Sequence, residues 1–140
     1  MRIRNIILAI CLAALVPGMA AAKRPQAAPE PGCDILVDKV VYKNTPYAVK
    51  VVRVPSYPGA WRNPIVTIEA TYTGSDTTGS ATIDPSLANV FSVTYVTASL
   101  VVPPDAEFGG TATITATIKE PLKKKNAYNT TTCSVTRDVQ

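Results

Sequence analysis

The chain has 140 residues, 14 basic against 10 acidic, a formal net charge of +4 and no histidine. Without imidazole it lacks the commonest general base, the usual serine and cysteine triads and most transition-metal sites, so the composition predicts a protein that is not an enzyme and takes no metal or cofactor. So small a positive excess does not mark a nucleic-acid binder.

In chain order, residues 1–22 read as an export signal. Arg2 and Arg4 form a charged start, and residues 6–16 are an apolar run of about 11 residues, short of the roughly 20 that a membrane-spanning helix needs. Ala20, Ala21 and Ala22 follow, and cleavage is expected after Ala22. Cys11 sits inside the apolar run behind bulky Ile10, which does not fit a lipoprotein signal. The mature chain keeps about 118 residues and a net charge of about +2, the size of one domain, secreted to the periplasm or beyond. Residues 23–32 hold Pro25, Pro29 and Pro31 among alanines and polar residues, and read as a flexible arm.

From Cys33 onward β-branched residues dominate and leucine is scarce, a bias toward strands. The clearest strand spans residues 111–118, where Ala112, Ile114, Ala116 and Ile118 alternate with four threonines. Residues 65–72 repeat the pattern, with Val66, Ile68, Ala70 and Tyr72 facing inward. Further strands are predicted over residues 34–42, 47–54, 79–83, 90–96, 98–102 and 130–139, separated by turn-forming glycine, proline, asparagine and aspartate. Asp84 before Pro85 reads as a helix N-cap with room for a single turn. Seven or eight short strands without a helical period predict an all-β, antiparallel immunoglobulin-like β-sandwich in one domain over residues 33–140, with a small closed barrel as the alternative.

Cys33 and Cys133 are the only cysteines beyond the signal, and in an exported chain they pair with each other. Closing a loop of about 100 residues stabilises by at most about 4 to 5 kcal/mol. The bond is expected to tie the start of the first strand to the start of the last, without bridging the two sheets.

Residues 110–118, reading Gly-Thr-Ala-Thr-Ile-Thr-Ala-Thr-Ile, resemble the penultimate strand of bacterial immunoglobulin-like surface domains of the invasin and intimin kind. The resemblance implies the sandwich fold and a role at the cell surface. It implies no site residues.

Three clusters are candidate sites. Residues 55–64 place Tyr57, Trp61 and Arg62 in one loop, where the rings would stack a sugar or anchor a partner; the competing role for Trp61 is a plug at the end of the core. Lys123, Lys124 and Lys125, with Lys119 and Arg137 close by, would form a basic tip for an anionic surface polymer, or a solvated loop that guards strand edges. Asp105 and Glu107, joined by Asp76 or Asp84, are oxygen donors whose spacing matches no known calcium loop, and Asp84 is equally a helix cap. Asn129 opens a glycosylation sequon that matters only in a eukaryotic host. The expected function is a structural, adhesive or assembly subunit of a cell surface or extracellular filament, meeting a protein partner or its own copies. The alternative is a binding protein that recognises a glycan, peptide or protease through the loop around Trp61. Neither reading involves nucleic acid or a membrane span.

Overall fold

The computed structural model describes residues 32–54 and 59–140. The predicted signal at 1–22 and the arm at 23–32, apart from Gly32, lie outside the described residues. Ten strands follow one another: β1 Cys33–Leu36, β2 Val40–Val41, β3 Pro46–Arg53, β4 Trp61–Arg62, β5 Ile65–Tyr72, β6 Gly79–Ile83, β7 Ser92–Val93, β8 Tyr95–Val101, β9 Thr111–Pro121 and β10 Tyr128–Val139. The one helical element among the described residues is a 3-10 turn at Pro85–Ala88. The domain is thus all-β, as expected, with antiparallel and mixed sheets.

Strands β1, β3 and β8 form a three-stranded antiparallel sheet in the order β1-β3-β8. A larger sheet runs β2-β10-β9-β5-β6 and curls as a half-barrel. Its ladders are antiparallel except for the parallel pairing of β2 with β10. The predicted first strand at 34–42 is therefore two segments, β1 in the small sheet and β2 in the large one, and the chain changes sheet between them. In the gap Arg137 Nε donates to the Val37 carbonyl at 3.3 Å, which satisfies backbone that neither ladder reaches.

Alternation explains the core. On β9, Ala112, Ile114, Ala116 and Ile118 are fully buried, and β5 places Val66, Ile68 and Ala70 beside them. From the small sheet Ile35, Val49, Val51, Val96 and Leu100 complete the same cluster. Each fully buried isoleucine contributes about 1.5 to 3 kcal/mol relative to exposure. Tyr47 on β3 meets Tyr72 on β5 across the core with their hydroxyls 2.6 Å apart, and Tyr72 Oη reaches the Val101 carbonyl at 3.4 Å. Since Tyr72 gives its hydrogen to Val101, Tyr47 donates to Tyr72. Burial pushes both hydroxyls above their ordinary pKa of 10.0, and the hydrogen bond it donates raises Tyr47 further.

Cys33 and Cys133 are bonded, with Cα atoms 5.8 Å apart. Cys33 opens β1, as expected, but the rest of the expected placement is corrected: Cys133 lies in the middle of β10, and the bond crosses from one sheet to the other. The reason is the change of sheet after Leu36, which leaves β1 in the small sheet although it runs beside β10.

Candidate functional site

Strands β6 and β8 are the outer strands of the two sheets, and among the described residues no backbone hydrogen bond joins them. At one end of this seam the strands pack closely. A Cβ added to Gly79 would lie 3.1 Å from Tyr72 Oη on β5, which would have to give slightly, and in ordinary contact at 3.6 Å from Leu100 Cδ1 on β8, so the strands are close here. At the other end they part around a groove of about 560 Å³, lined by Ile83, Pro85, Val93, Tyr95 and Val96 among others.

The segment between β6 and β8 builds the rim. Asp84 caps the 3-10 turn by accepting from the Ser86 N–H at 3.0 Å, and Asn89 ends it in the left-handed region at φ 59°. That reversal is why residues 90–96 do not form the single strand predicted for them: Val90 and Phe91 leave a helical turn, Ser92–Val93 pairs with β4, and Tyr95 and Val96 already belong to β8, paired with β3. The same reversal projects apolar side chains outward. Leu87 is 85% exposed, Phe91 57% and Tyr95 54%. Lys50 Nζ stands 4.4 Å from the Tyr95 ring centre and holds that ring in place against the small sheet.

The groove has no charged lining residue. A concave apolar surface flanked by exposed large side chains gains free energy by shedding water onto an apolar partner surface. This seam was not among the candidates read from sequence, although a signal exists: from residue 77 to residue 104 the only charged side chain is Asp84.

The predicted residues fall elsewhere or beneath. Tyr57 lies outside the described residues. Trp61 is completely buried, pairs with Val93 through β4 and β7, and offers no face to a ligand. Its stacking role is corrected in favour of the core plug, since the buried indole is part of the hydrophobic core. Arg62 is exposed, and its backbone N–H donates to Glu120 Oε2 at 2.9 Å. Lys123, Lys124 and Lys125 are exposed on the loop joining β9 to β10, where Asn126 takes φ 60°. Arg137 is not close by: it pairs opposite Ala112 at the far end of that hairpin, nine residues beyond Tyr128 and so roughly 30 Å along the strand.

Asp105 accepts from Ser75 Oγ at 2.7 Å, and the Glu107 N–H donates to the Thr73 carbonyl at 2.8 Å, which brings these two loops together. Asp84 is apart from them at its cap. Among the described residues no three histidine, cysteine, aspartate or glutamate side chains converge as metal ligands. No helix among them is long and apolar enough to cross a membrane.

No protein-family model matches the chain, and no curated protein matches it. A solved structure of a proposed superoxide reductase from Thermotoga maritima is similar in fold, with a TM-score of 0.50 and 11% identity over 77% of this chain and 85% of that one. The expectation that the protein is not an enzyme is thereby corrected, since its fold is found in a protein described as an enzyme. At this identity the likeness shows the fold alone.

Proposed function

We propose that the chain is an exported immunoglobulin-like β-sandwich module, of the same general kind as the bacterial surface domains that residues 110–118 resemble. It serves as a structural, adhesive or assembly subunit of a cell surface or extracellular filament. The fold reading is supported by the strand order: β1-β3-β8 faces β2-β10-β9-β5-β6, with the first strand shared between the sheets and the last strand parallel to its second segment. Secretion is supported by the buried disulfide between Cys33 and Cys133, since such bonds persist in oxidising compartments.

The observation that carries the functional reading is the uncharged seam. Leu87 and Phe91 stand in solvent beside an apolar groove, and exposed side chains of this size cost solubility unless a protein surface covers them. Recognition through the loop around Trp61 is not favoured, because the ring is inside the core.

The test is retention. In cells that export the protein, the unaltered chain is expected in the envelope or filament fraction, and a variant carrying Leu87→Asp with Phe91→Asp is expected free in the medium or periplasm at the same total amount. Equal retention of both forms would sink this reading. Superoxide consumption by the purified protein is measured alongside, because the similar fold carries that description.

A further inference from the structure

The geometry points to a binding track for an acidic polysaccharide along the end of the β9–β10 hairpin, from the turn at Lys123, Lys124 and Lys125 to the ring of Tyr128. The track shares no residue with the β6–β8 seam and takes a ligand of different chemistry.

The fold presents this end in a fixed shape. Pairing with β5 starts at Ile65 opposite Lys119, and β2 meets β10 only at Asp138 and Val139, so beyond Lys119 the two strands have only each other and project from the sheet. The turn is closed by the Leu122 N–H donating to the Ala127 carbonyl at 2.9 Å and the Ala127 N–H donating to the Lys124 carbonyl at 3.2 Å, with Asn126 at φ 60°. Three adjacent lysines are thereby held together and exposed.

Charge selects an anion. Residues 119–136 hold four lysines and a single acid, Glu120, which accepts from the Arg62 N–H at 2.9 Å. None of the three turn lysines is held in an ion pair among the described residues. Their mutual repulsion is relieved when a counter-charge arrives from outside. Length selects a polymer: Lys119 and Lys123 are separated by four residues, roughly 13 Å of extended chain, so a single phosphate or carboxylate cannot meet both while a chain of repeated charges can.

The flanking face selects a sugar. Pro121 stands opposite Tyr128 and Lys119 opposite Thr130, and residues directly opposite share a face. Tyr128 is 48% exposed, with Lys119 Nζ 6.0 Å from its ring centre. The ring offers a sugar an apolar surface to cover, Thr130 offers its hydroxyls a donor and an acceptor, and the lysines meet its acidic groups. A bilayer fits less well, because the lysines lead at the turn and Leu122 and Tyr128 stand behind them. Nucleic acid fits less well too, since one ring gives successive bases no platform.

Fluorescence anisotropy of labelled polygalacturonate, titrated with the disulfide-bonded mature protein at low salt, tests the inference. Polygalacturonate is expected to bind and neutral dextran of equal length not to, with affinity falling as salt is added. Lys124→Glu should weaken binding several-fold, and Lys123→Glu with Lys124→Glu and Lys125→Glu by more than about tenfold, with a flatter salt dependence. Tyr128→Ala should weaken it by about fivefold at unchanged salt dependence, and Tyr128→Phe should restore it. An unchanged urea midpoint shows that each variant is folded. Leu87→Asp with Phe91→Asp should leave polygalacturonate binding intact, so loss of retention with intact binding, or the reverse, tells the seam and the track apart. Absence of binding, or binding indifferent to the three lysines, overturns the inference. Polyphosphate, single-stranded DNA or phosphatidylglycerol vesicles binding more tightly than polygalacturonate, with Tyr128→Ala without effect, also overturns it.

Discussion

The domain has two places where its sheets meet edge to edge, and they are built in opposite ways. On one side β1 and β10 are joined by the Cys33–Cys133 bond, β2 adds a parallel ladder through Val40 and Val41, and the Lys43 N–H donates to the Gln140 carbonyl at 2.7 Å. On the other side β6 and β8 have no backbone hydrogen bond between them and are held by Gly79 against Leu100 and by the Tyr47–Tyr72 pair nearby. The closed side carries the covalent and backbone links, and the open side carries apolar groups in water.

Breaking the closed side should have the largest effect. Cys33→Ser with Cys133→Ser frees the chain ends and is expected to lower the unfolding free energy by up to about 4 kcal/mol, read from a urea transition fitted for both midpoint and slope, the slope rising as the unlinked unfolded chain expands. A shift below about 1 kcal/mol would mean that the ladder of β2 with β10 suffices without the bond.

The tyrosine pair comes next. Tyr47→Phe removes the hydroxyl that donates to Tyr72 while Tyr72 keeps its bond to Val101, so a loss of about 0.5 to 1.5 kcal/mol is expected. Its pH dependence has a definite sign. Both folded-state pKa values lie above 10.0, so the folded state holds its hydroxyl protons where the unfolded chain releases them. That stability is complete below pH 10 and is lost as pH rises above it. The alkaline limb of a stability profile should therefore be shallower in Tyr47→Phe, and an unchanged limb would show that the pair does not couple the sheets.

How far these edges were legible in the sequence depends on what specified them. Period-two alternation placed β5 and β9, because every second residue is buried and one slipped residue would turn Ile114 to solvent. Asp84 and Pro85 announced their turn for the same local reason. The change of sheet after Leu36 was not legible, since residues 34–42 have strand propensity throughout and only the tertiary pairing of β10 decides where the chain crosses. Trp61 was ambiguous because a lone aromatic in a loop reads alike whether it plugs a core or meets a ligand. The seam left its trace as an absence of charge over residues 77–104, a negative pattern that a search for chemically active side chains passes over.

Two small substitutions sharpen the comparison from the open side. Asp84→Ala removes the cap that sets the projecting turn, with an expected cost of about 1 kcal/mol, and Asp84→Asn should recover most of it, because asparagine caps nearly as well as aspartate.

The smallest effect is the most informative. Leu87→Asp should change the stability of the monomer by no more than about 0.5 kcal/mol, since the side chain is 85% exposed and packs on little of its own domain. Measured by urea unfolding under dilute conditions, a loss above about 1.5 kcal/mol would mean that Leu87 belongs to the core and that the open edge is closed after all. A near-zero change in the monomer together with lost retention by the cell assigns the leucine to contact between molecules.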